Sequence, residues 1–146
     1  MKKPVKLLPV PPVSFSGVHV LVIDDSVAVR QCFVSCLLST GAMVTCLGSD
    51  PVTALHMLLH PSTPLVPTIV FVDLILPKGD GLTVIRLLKK RFKDVPIIAL
   101  SRRNGLRDRL LVRLAGAREY VVKPISPAHI ITLVTKYLPD QDAWRR

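Results

Sequence analysis

Residues 69–81 read Ile-Val-Phe-Val-Asp-Leu-Ile-Leu-Pro-Lys-Gly-Asp-Gly and decide the fold of this chain. The four apolar, mostly β-branched residues at 69–72 are typical of a strand that is buried on both faces. The strand ends on one carboxylate, Asp73, and the proline and glycines that follow predict a loop. Open α/β sheets bind ligands at the carboxyl ends of their strands, so Asp73 is a candidate site residue. From this stretch alone, a loop-capping role for Asp73 is an equal alternative.

Composition limits the class of protein. The chain has 146 residues, 49% of them apolar, which is enough for one globular domain with its own core and too little for two. No apolar run approaches the roughly 20 residues that span a bilayer, and early prolines argue against a signal peptide. Three cysteines without metal-ligand spacing fit small buried side chains in a reducing compartment, so we expect a cytoplasmic protein without membrane insertion.

Charge is the unusual global feature. The formal net charge is +10, with bases concentrated at residues 86–93 and 102–118. Such an excess favours acidic partners, although a solvated basic face without a specific ligand is an equal alternative.

Apolar runs that fit strands alternate along the chain with segments of helical periodicity. Strands are expected at 19–23, 43–47, 69–72, 96–100 and 119–122, and helices at 26–40, 51–59, 81–91, 105–115 and 127–138. On the helix at 105–115 we expect the bases outward and Leu106, Leu110 and Leu114 inward. Five strands alternating with five helices predict a doubly wound α/β fold, with a parallel sheet covered on both faces.

The same pass predicts the domain organisation. We expect one domain over residues 18–138 without an internal repeat. Residues 1–17 are proline-rich and lack periodicity, so they predict a flexible N-terminal arm, and residues 139–146 predict a short C-terminal tail.

The predicted strands end on residues that carry chemistry. Asp24 and Asp25 follow the first strand, Asp73 ends the third, Ser101 the fourth and Lys123 the fifth. Parallel strands place their carboxyl ends at one edge, so these side chains are expected to converge. Close carboxylates raise one another's pKa values, and Mg²⁺ is the cation that carboxylate and carbonyl oxygens suit. A carboxylate beside Mg²⁺ can attack a phosphoryl group, whose charge the metal, Lys123 and Ser101 can neutralise.

Each of these residues also has a purely structural alternative. Asp24 and Asp25 could cap the helix that follows, Lys123 could pair with Asp73 as a salt bridge, and Ser101 could be a turn residue. Their expected convergence at one edge favours a phosphoryl site over these separate roles.

These motifs together resemble the receiver domain of bacterial response regulators, the CheY-like family. The resemblance rests on the acidic pair, the loop of residues 73–81, Ser101 and the dipeptide at 123–124, and it covers about residues 18–138. It implies a flavodoxin-like sheet of order 2-1-3-4-5. Within the family, residues 100–108 and Tyr120 look most like stand-alone receivers of type IV pilus (twitching) chemosensory systems, the PilG type.

The resemblance implies which residues accept the phosphoryl group and hold the metal. Asp73 would be the phosphoacceptor. Asp25 and Asp73 would bind Mg²⁺ directly with the backbone carbonyl of Ile75, and Asp24 would act mostly through water.

It also implies how the signal would leave the site. Lys123 would contact the phosphoryl group, and its peptide bond to Pro124 would be cis. Ser101 would hydrogen-bond the phosphoryl group on activation, and Tyr120 would be the aromatic switch that rotates inward in response. A half-buried Tyr120 with a solvated hydroxyl is the alternative.

Two residues depart from the family pattern. Arg102 stands where the family usually has a small residue, so it is a possible access modifier that could shield the phosphoryl group or help to neutralise its charge. Ile75 is apolar and unable to orient a hydrolytic water, which predicts a long-lived phosphoryl group.

The sequence therefore predicts a stand-alone receiver phosphorylated by a sensor histidine kinase or a phosphotransfer domain. Its output would be a downstream protein that binds the face of the helix at 105–115 and the strand at 119–122. It would assist its own phosphotransfer and would not turn over an external substrate. A phosphatase would need a cap domain and a second acid two residues after Asp73, and we expect neither in this chain.

The alternative is a basic receiver-like adaptor that binds an acidic partner or nucleic acid with weak or no phosphorylation. Aromatic residues are 5% of the chain and do not interleave with the bases, which argues against nucleic acid.

Overall fold

The computed structural model describes residues 13–48, 66–77 and 79–138, together with 53, 55, 56, 60 and 62. The strands are β1 (His19–Ile23), β2 (Met43–Leu47), β3 (Ile69–Asp73), β4 (Ile75–Leu76), β5 (Gly79–Asp80), β6 (Ile97–Ser101) and β7 (Glu119–Val122). The helices are α1 (Val27–Leu37), α2 (Gly81–Arg91), α3 (Leu106–Ala115) and α4 (Pro127–Lys136).

Five strands form one parallel sheet in the order β2-β1-β3-β6-β7. Counted along the chain within this sheet, the order is 2-1-3-4-5, so the predicted doubly wound α/β architecture is confirmed. Strand β3 lies in the middle with all five of its residues buried. Its carboxyl end, which carries Asp73, is therefore held between β1 and β6.

The sheet has a hydrophobic core on each face because alternate residues of a strand point to opposite sides. Val20, Val22 and Phe71 pack on one face with α1 and α4. Leu21, Ile23 and Val70 pack on the other face with α2 and α3. Helices on both faces therefore cover β1 and β3, as the apolar runs in the sequence predicted.

The predicted inward face of α3 is wrong. Leu106, Leu110 and Leu114 are 86%, 59% and 75% exposed, whereas Val112 and Ala115 are buried. The helix has two apolar stripes, and the second contains Val112 and Ala115. These residues follow a leucine by two positions and by one, so their side chains project about 200° and 100° further round the helix axis. Val112 and Ala115 pack in the core on this face of the sheet, and the three leucines therefore face solvent.

A short antiparallel pair follows β3 where the sequence predicted only a loop. Ile75 pairs with Asp80 and Leu76 with Gly79. The pair ends at Asp80, whose carboxylate accepts a hydrogen bond from Leu82 N and caps α2.

The packed part of the chain begins before the predicted boundary at residue 18. Phe15 is 1% exposed within the core, and its N–H donates to the carbonyl of Thr40 at 2.7 Å. Residues 13–17 therefore belong to the packed domain and not to an arm, because an aromatic ring that finds a core site orders the segment around it. Residues 1–12 and the tail at 139–146 lie outside the described residues, as does most of the helix predicted at 51–59.

Among the residues that the structure describes, no helix has both the length and the apolar character needed to cross a bilayer.

Candidate functional site

The ends of four parallel strands bring the predicted site residues to one edge of the sheet. Asp24 follows β1, Asp73 ends β3, Ser101 ends β6 and Lys123 follows β7. Strands β1, β3 and β6 are apolar runs because both of their faces are covered, whereas the edge strand β7 is only partly buried. The first polar residue after each run therefore lands at the common edge.

Three carboxylates meet at this edge. Oxygen atoms of Asp24, Asp25 and Asp73 all lie within 4.8 Å of one another. Asp24 is fully buried, Asp73 is 6% exposed, and Asp25 faces solvent. Asp24 is fixed from both sides, since its Oδ1 accepts from Ser26 N at 2.8 Å and its own N–H donates to the carbonyl of Leu47 at 3.0 Å.

Lys123 reaches into this cluster from the end of β7, with β6 lying between β7 and β3 in the sheet. Its Nζ lies 2.6 Å from Asp24 Oδ2 and donates to Asp73 Oδ2 at 3.0 Å, with 8% of its side chain exposed. The backbone N–H of Lys123 donates to the carbonyl of Ser101 at 2.8 Å, and the Lys123–Pro124 peptide bond is cis, as expected. The salt-bridge alternative is thus realised as well, within the same convergent site.

Burial dominates the electrostatics of Asp73. Loss of solvent raises the pKa of its carboxyl group, and the nearby Asp24 carboxylate adds to this effect. Hydrogen bonds from Ile75 N, at 3.1 Å, and from Lys123 hold the pKa down in opposition. From the sequence we expected repulsion between the carboxylates to raise this pKa, but repulsion raises it less than burial does.

The residues present fit a divalent cation. Asp24 Oδ2 is buried, and no hydrogen-bond donor with good geometry serves it among the described residues, since its contact with Lys123 is an ion pair only. A buried carboxylate oxygen of this kind has a lone pair free for a cation or for a water bound to it. The donor set of three carboxylates suits a hard, oxygen-preferring ion such as Mg²⁺. The role of the Ile75 carbonyl as a further ligand stays a prediction.

Arg102 lines the mouth of the site. It shares a cavity of about 300 Å³ with Asp25, Asp73, Ile75 and Lys123, and its own side chain is exposed. The cavity is therefore walled by both signs of charge, with Arg102 on the solvent side.

Ser101 and Tyr120 are joined through the backbone of one residue. Ser101 is 1% exposed, and its Oγ accepts a hydrogen bond from Arg103 N at 3.1 Å. The half-buried Tyr120 donates from its hydroxyl to the carbonyl of Arg103 at 2.5 Å. Tyr120 thus has a protein partner for its hydroxyl, and not only solvent.

Arg109 holds this arrangement from outside. Its guanidinium carbon lies 4.8 Å from the centre of the Tyr120 ring, and its Nε and Nη2 donate to Asn104 Oδ1 at 3.1 and 2.6 Å. In the sequence, Arg103 and Arg109 stand out only as members of a basic segment. Their contacts with Tyr120 bridge 17 and 11 positions of sequence, so no local pattern could have indicated them.

Comparisons with known proteins agree with this geometry. The family model described as the response regulator receiver domain matches residues 20–135. Protein PilG of Pseudomonas aeruginosa is 31% identical over 127 residues, which cover 84% of this chain and 89% of PilG. Response regulator MprA of Mycobacterium sp. (strain KMS) is 32% identical over 128 residues, which cover 85% of this chain and 54% of MprA. The chain thus spans most of PilG and about half of MprA.

Solved structures share the fold. A two-component response regulator from Clostridium difficile superposes with a TM-score of 0.74 at 19% identity, covering 86% of this chain and 99% of that one. The response regulator protein TrrA from Thermotoga maritima, solved in complex with Mg²⁺ and BeF, superposes with a TM-score of 0.68 at 27% identity. That match covers 83% of this chain and 99% of TrrA.

Proposed function

The chain belongs to the response regulator receiver domain family, and from this premise we propose that Asp73 accepts a phosphoryl group from a histidine kinase or a phosphotransfer domain. Receiver domains act in phosphorylation-dependent signalling and are not enzymes that turn over an external substrate. The observation that carries the proposal is a buried carboxylate at the end of the central strand, with Lys123 Nζ 3.0 Å away and two further carboxylates beside it.

The arrangement supports direct transfer to Asp73. A carboxylate oxygen of Asp73 forms a bond to phosphorus while the bond from phosphorus to the donor's imidazole nitrogen breaks, and the imidazole leaves with the electron pair. Mg²⁺ held by Asp24, Asp25 and Asp73 would supply positive charge for the phosphoryl oxygens. The ammonium of Lys123 donates to a phosphoryl oxygen on Asp73, and the Ser101 hydroxyl offers a second donor.

Labelling with acetyl phosphate and Mg²⁺ tests this assignment. The parent chain should take up one phosphoryl group, and Asp73→Asn, which keeps the shape of the side chain, should take up none. Asp94→Asn is the matched control, because Asp94 is an exposed acid away from the site. Equal labelling of parent and Asp73→Asn would remove Asp73 from the role.

Magnesium binding has its own test that does not depend on phosphorylation. Asp25 is the exposed member of the cluster, so Asp25→Asn can be made without leaving a buried group unpaired. Calorimetry should show Mg²⁺ uptake by the parent and much weaker uptake by Asp25→Asn. Equal uptake by both chains would count against the cluster as the metal site.

We further propose that Ser101 and Tyr120 form the switch. If the Ser101 hydroxyl moves to the phosphoryl group, Arg103 N loses its acceptor and the Arg103 carbonyl that holds Tyr120 is released. A local charge event at Asp73 is thereby converted into a change on the α3–β7 face. NMR spectra with Mg²⁺ and beryllofluoride should shift the Arg103 and Tyr120 amides in the parent. If beryllofluoride shifted these amides in Ser101→Ala as much as in the parent, Ser101 would have no part in the switch.

Arg102 is proposed as an access modifier that shields the phosphoryl group. Its exposed side chain on the solvent side of the cavity supports this role. The labelled Arg102→Ala variant should lose its phosphoryl group faster than the labelled parent, and an equal or slower loss would count against shielding.

The output is proposed to be a protein partner at the α3–β7 face, in a signalling system of the PilG type. The family match favours this function over a basic adaptor that is not phosphorylated. The cytoplasm is the proposed compartment, which the free thiols of Cys32, Cys36 and Cys46 support. Alkylation of these thiols in intact cells should find them reduced, and disulfide-linked chains would contradict this compartment.

A further inference from the structure

Arg30 is a charged residue of α1 that the proposed phosphorylation does not use. Its backbone N–H donates to the carbonyl of Ser26 at 3.1 Å, so it lies on the first turn of the helix. Its guanidinium extends back to the end of β1, where Nη1 donates to the carbonyl oxygen of Asp24 at 3.0 Å. The residue is half-buried, and among the described residues it forms no ion pair. Its charge is therefore directed at a backbone carbonyl and not at a carboxylate.

The hydrogen bond from Arg30 is one of three that fix Asp24. The N–H of Asp24 donates to the carbonyl of Leu47 at 3.0 Å, and its Oδ1 accepts from Ser26 N at 2.8 Å. No other donor among the described residues serves the carbonyl that Arg30 holds. Only Oδ2 of Asp24 is left without a hydrogen bond, and it lies in the acidic cluster beside Lys123.

The carbonyl that Arg30 holds belongs to the peptide unit between Asp24 and Asp25. Because a peptide unit is planar, the orientation of its plane fixes ψ of Asp24 and φ of Asp25. These angles set the direction of the Asp25 side chain, and in the present orientation oxygen atoms of both acids and of Asp73 lie within 4.8 Å of one another. Arg30 thus holds the acidic pair in place and leaves its carboxylate oxygens free for a cation.

Gly48 leaves room for this guanidinium beside the end of β2. A methyl group at Gly48 would overlap Arg30 Nη1 and would lie 3.0 Å from Cζ. The overlap is with the end of a flexible side chain, so an alanine here would displace the guanidinium and not the backbone. Gly48 is not among the glycines with positive φ, so its backbone conformation accepts alanine.

We propose that Arg30 is a positioning residue of the metal site. It holds the peptide unit between Asp24 and Asp25 so that both carboxylates can bind Mg²⁺ together with Asp73. The inference rests on the proposed function, because it assigns a further residue to the proposed metal site. Groups that orient the ligands of a metal commonly contribute about tenfold or more to its affinity.

The direction of the effect separates positioning from charge. If the Arg30 cation acted on the site by charge alone, its removal would strengthen the uptake of Mg²⁺. A positioning role predicts the opposite, so Arg30→Gln should raise the dissociation constant for Mg²⁺ about tenfold in calorimetry. Gln31→Ala, at the exposed neighbouring position on α1, is the control and should bind Mg²⁺ as the parent does.

Gly48→Ala removes the hydrogen bond and keeps the charge. It should raise the dissociation constant about as much as Arg30→Gln does. The chain with both substitutions should bind no more weakly than Arg30→Gln alone, because the new methyl group then has no guanidinium to displace. Gly105→Ala is the matched control, since a methyl group there meets nothing closer than 3.9 Å.

A measurement without Mg²⁺ reports on the peptide unit itself. The amide of Asp25 shares this unit with the carbonyl that Arg30 holds, so its NMR resonance should shift in Arg30→Gln and in Gly48→Ala. Gln31→Ala and Gly105→Ala should leave it in place. Urea unfolding of the same variants identifies a merely structural role, which would lower the urea midpoint and leave Mg²⁺ uptake by the folded chain unchanged.

Three results would overturn the positioning role: uptake by Arg30→Gln that equals or exceeds that of the parent, uptake by Gly48→Ala equal to that of the parent, and additive losses in the chain with both substitutions. If Arg30→Gln does not fold, Gly48→Ala alone decides. A parent that binds Mg²⁺ and is labelled at Asp73, with variants that bind Mg²⁺ equally well, rejects the role of Arg30 alone. A parent that takes up no Mg²⁺ rejects the metal site, and the role of Arg30 with it.

Discussion

Gly81 lies in close contact with the backbone of Asp73 and Leu74. A methyl group at Gly81 would lie 2.4 Å from the carbonyl oxygen of Asp73 and 2.5 Å from Leu74 Cα. Both contacts are with backbone, so relief requires movement of the strand end itself. The glycine is therefore needed for close approach of α2 to the site, and the sequence indicated it only as a loop residue.

Replacement of Gly81 by Ala should damage both stability and phosphorylation. We expect a loss of about 1–3 kcal/mol in the free energy of unfolding, because overpacking against backbone forces a shift. Labelling of Asp73 should slow as its carboxylate moves relative to Lys123. Urea unfolding and acetyl phosphate labelling measure the two effects.

Gly105→Ala is the control for Gly81→Ala. A methyl group at Gly105 would meet nothing closer than 3.9 Å, so this variant should match the parent in both measurements. Equal behaviour of the two alanine variants would show that the close approach at Gly81 is not a constraint.

His19 makes the stability of the fold depend on pH at the sheet edge opposite the site. The residue is 7% exposed, its Nε2 lies 2.7 Å from Thr45 Oγ1, and burial lowers its pKa below 6.5. Since the unfolded chain binds the proton more tightly, the stabilisation from neutral His19 is complete above about pH 6.5 and is lost as pH falls towards the lowered pKa.

The pH dependence can be isolated by comparison of variants. The parent should have a lower urea midpoint at pH 5.5 than at pH 7.5, and His19→Val should reduce that difference. His129→Gln, at an exposed site on α4, should leave the difference as it is in the parent. An unchanged difference in His19→Val would assign the effect to other groups.

The strands of this chain, and the convergence of its candidate site residues, could be predicted because their signals are local. Buried parallel strands read as short apolar runs, and the residue that ends each run must lie at the common edge. The face of α3 could not be predicted in the same way. Two apolar stripes compete on that helix, and only packing against the sheet selects the one that contains Val112 and Ala115.

A pair of alanine substitutions on α3 tests this orientation. Val112 is 2% exposed and Leu110 is 59% exposed. Val112→Ala should lower the free energy of unfolding by about 1–3 kcal/mol through loss of core contacts. Leu110→Ala removes a larger side chain and should change it by no more than about 0.5 kcal/mol.

Both substitutions introduce alanine on the same helix, so intrinsic helix propensity contributes little to the difference between their free energies of unfolding. The reverse ranking in urea unfolding would restore the orientation expected from the sequence, in which the three leucines face the core.

The two cores bury the candidate site residues at the ends of the strands, whereas the loops around the site are exposed. Asp24, Asp73 and Ser101 are buried at the ends of strands packed on both faces. The residues at the border of the site, among them Arg102, are exposed on the loops that follow those strands. A change at Asp73 therefore meets a rigid sheet on one side and a loop on the other, so the loop that carries Arg103 is the element that can respond.

The N-terminal limit of the fold follows from the same packing. The sequence at residues 13–17 has no periodicity, and a single aromatic residue among prolines gave no indication that it would enter the core. Phe15 nevertheless packs with Val18 and Leu37, and backbone hydrogen bonds join Phe15 N to Thr40 and Val18 N to Phe15. The segment closes the end of the core between α1 and β1.

Removal of this one ring should therefore destabilise the whole domain. Phe15→Ala in the full chain should lower the free energy of unfolding by about 3–5 kcal/mol, as expected for a buried phenylalanine. A chain that begins at residue 18 should lose at least as much, because it also lacks the hydrogen bond to Thr40. Ser14→Ala, at the exposed neighbour, should match the parent in urea unfolding. If the chain that begins at residue 18 were as stable as the parent, residues 13–17 would be an arm after all, and the core would be complete without Phe15.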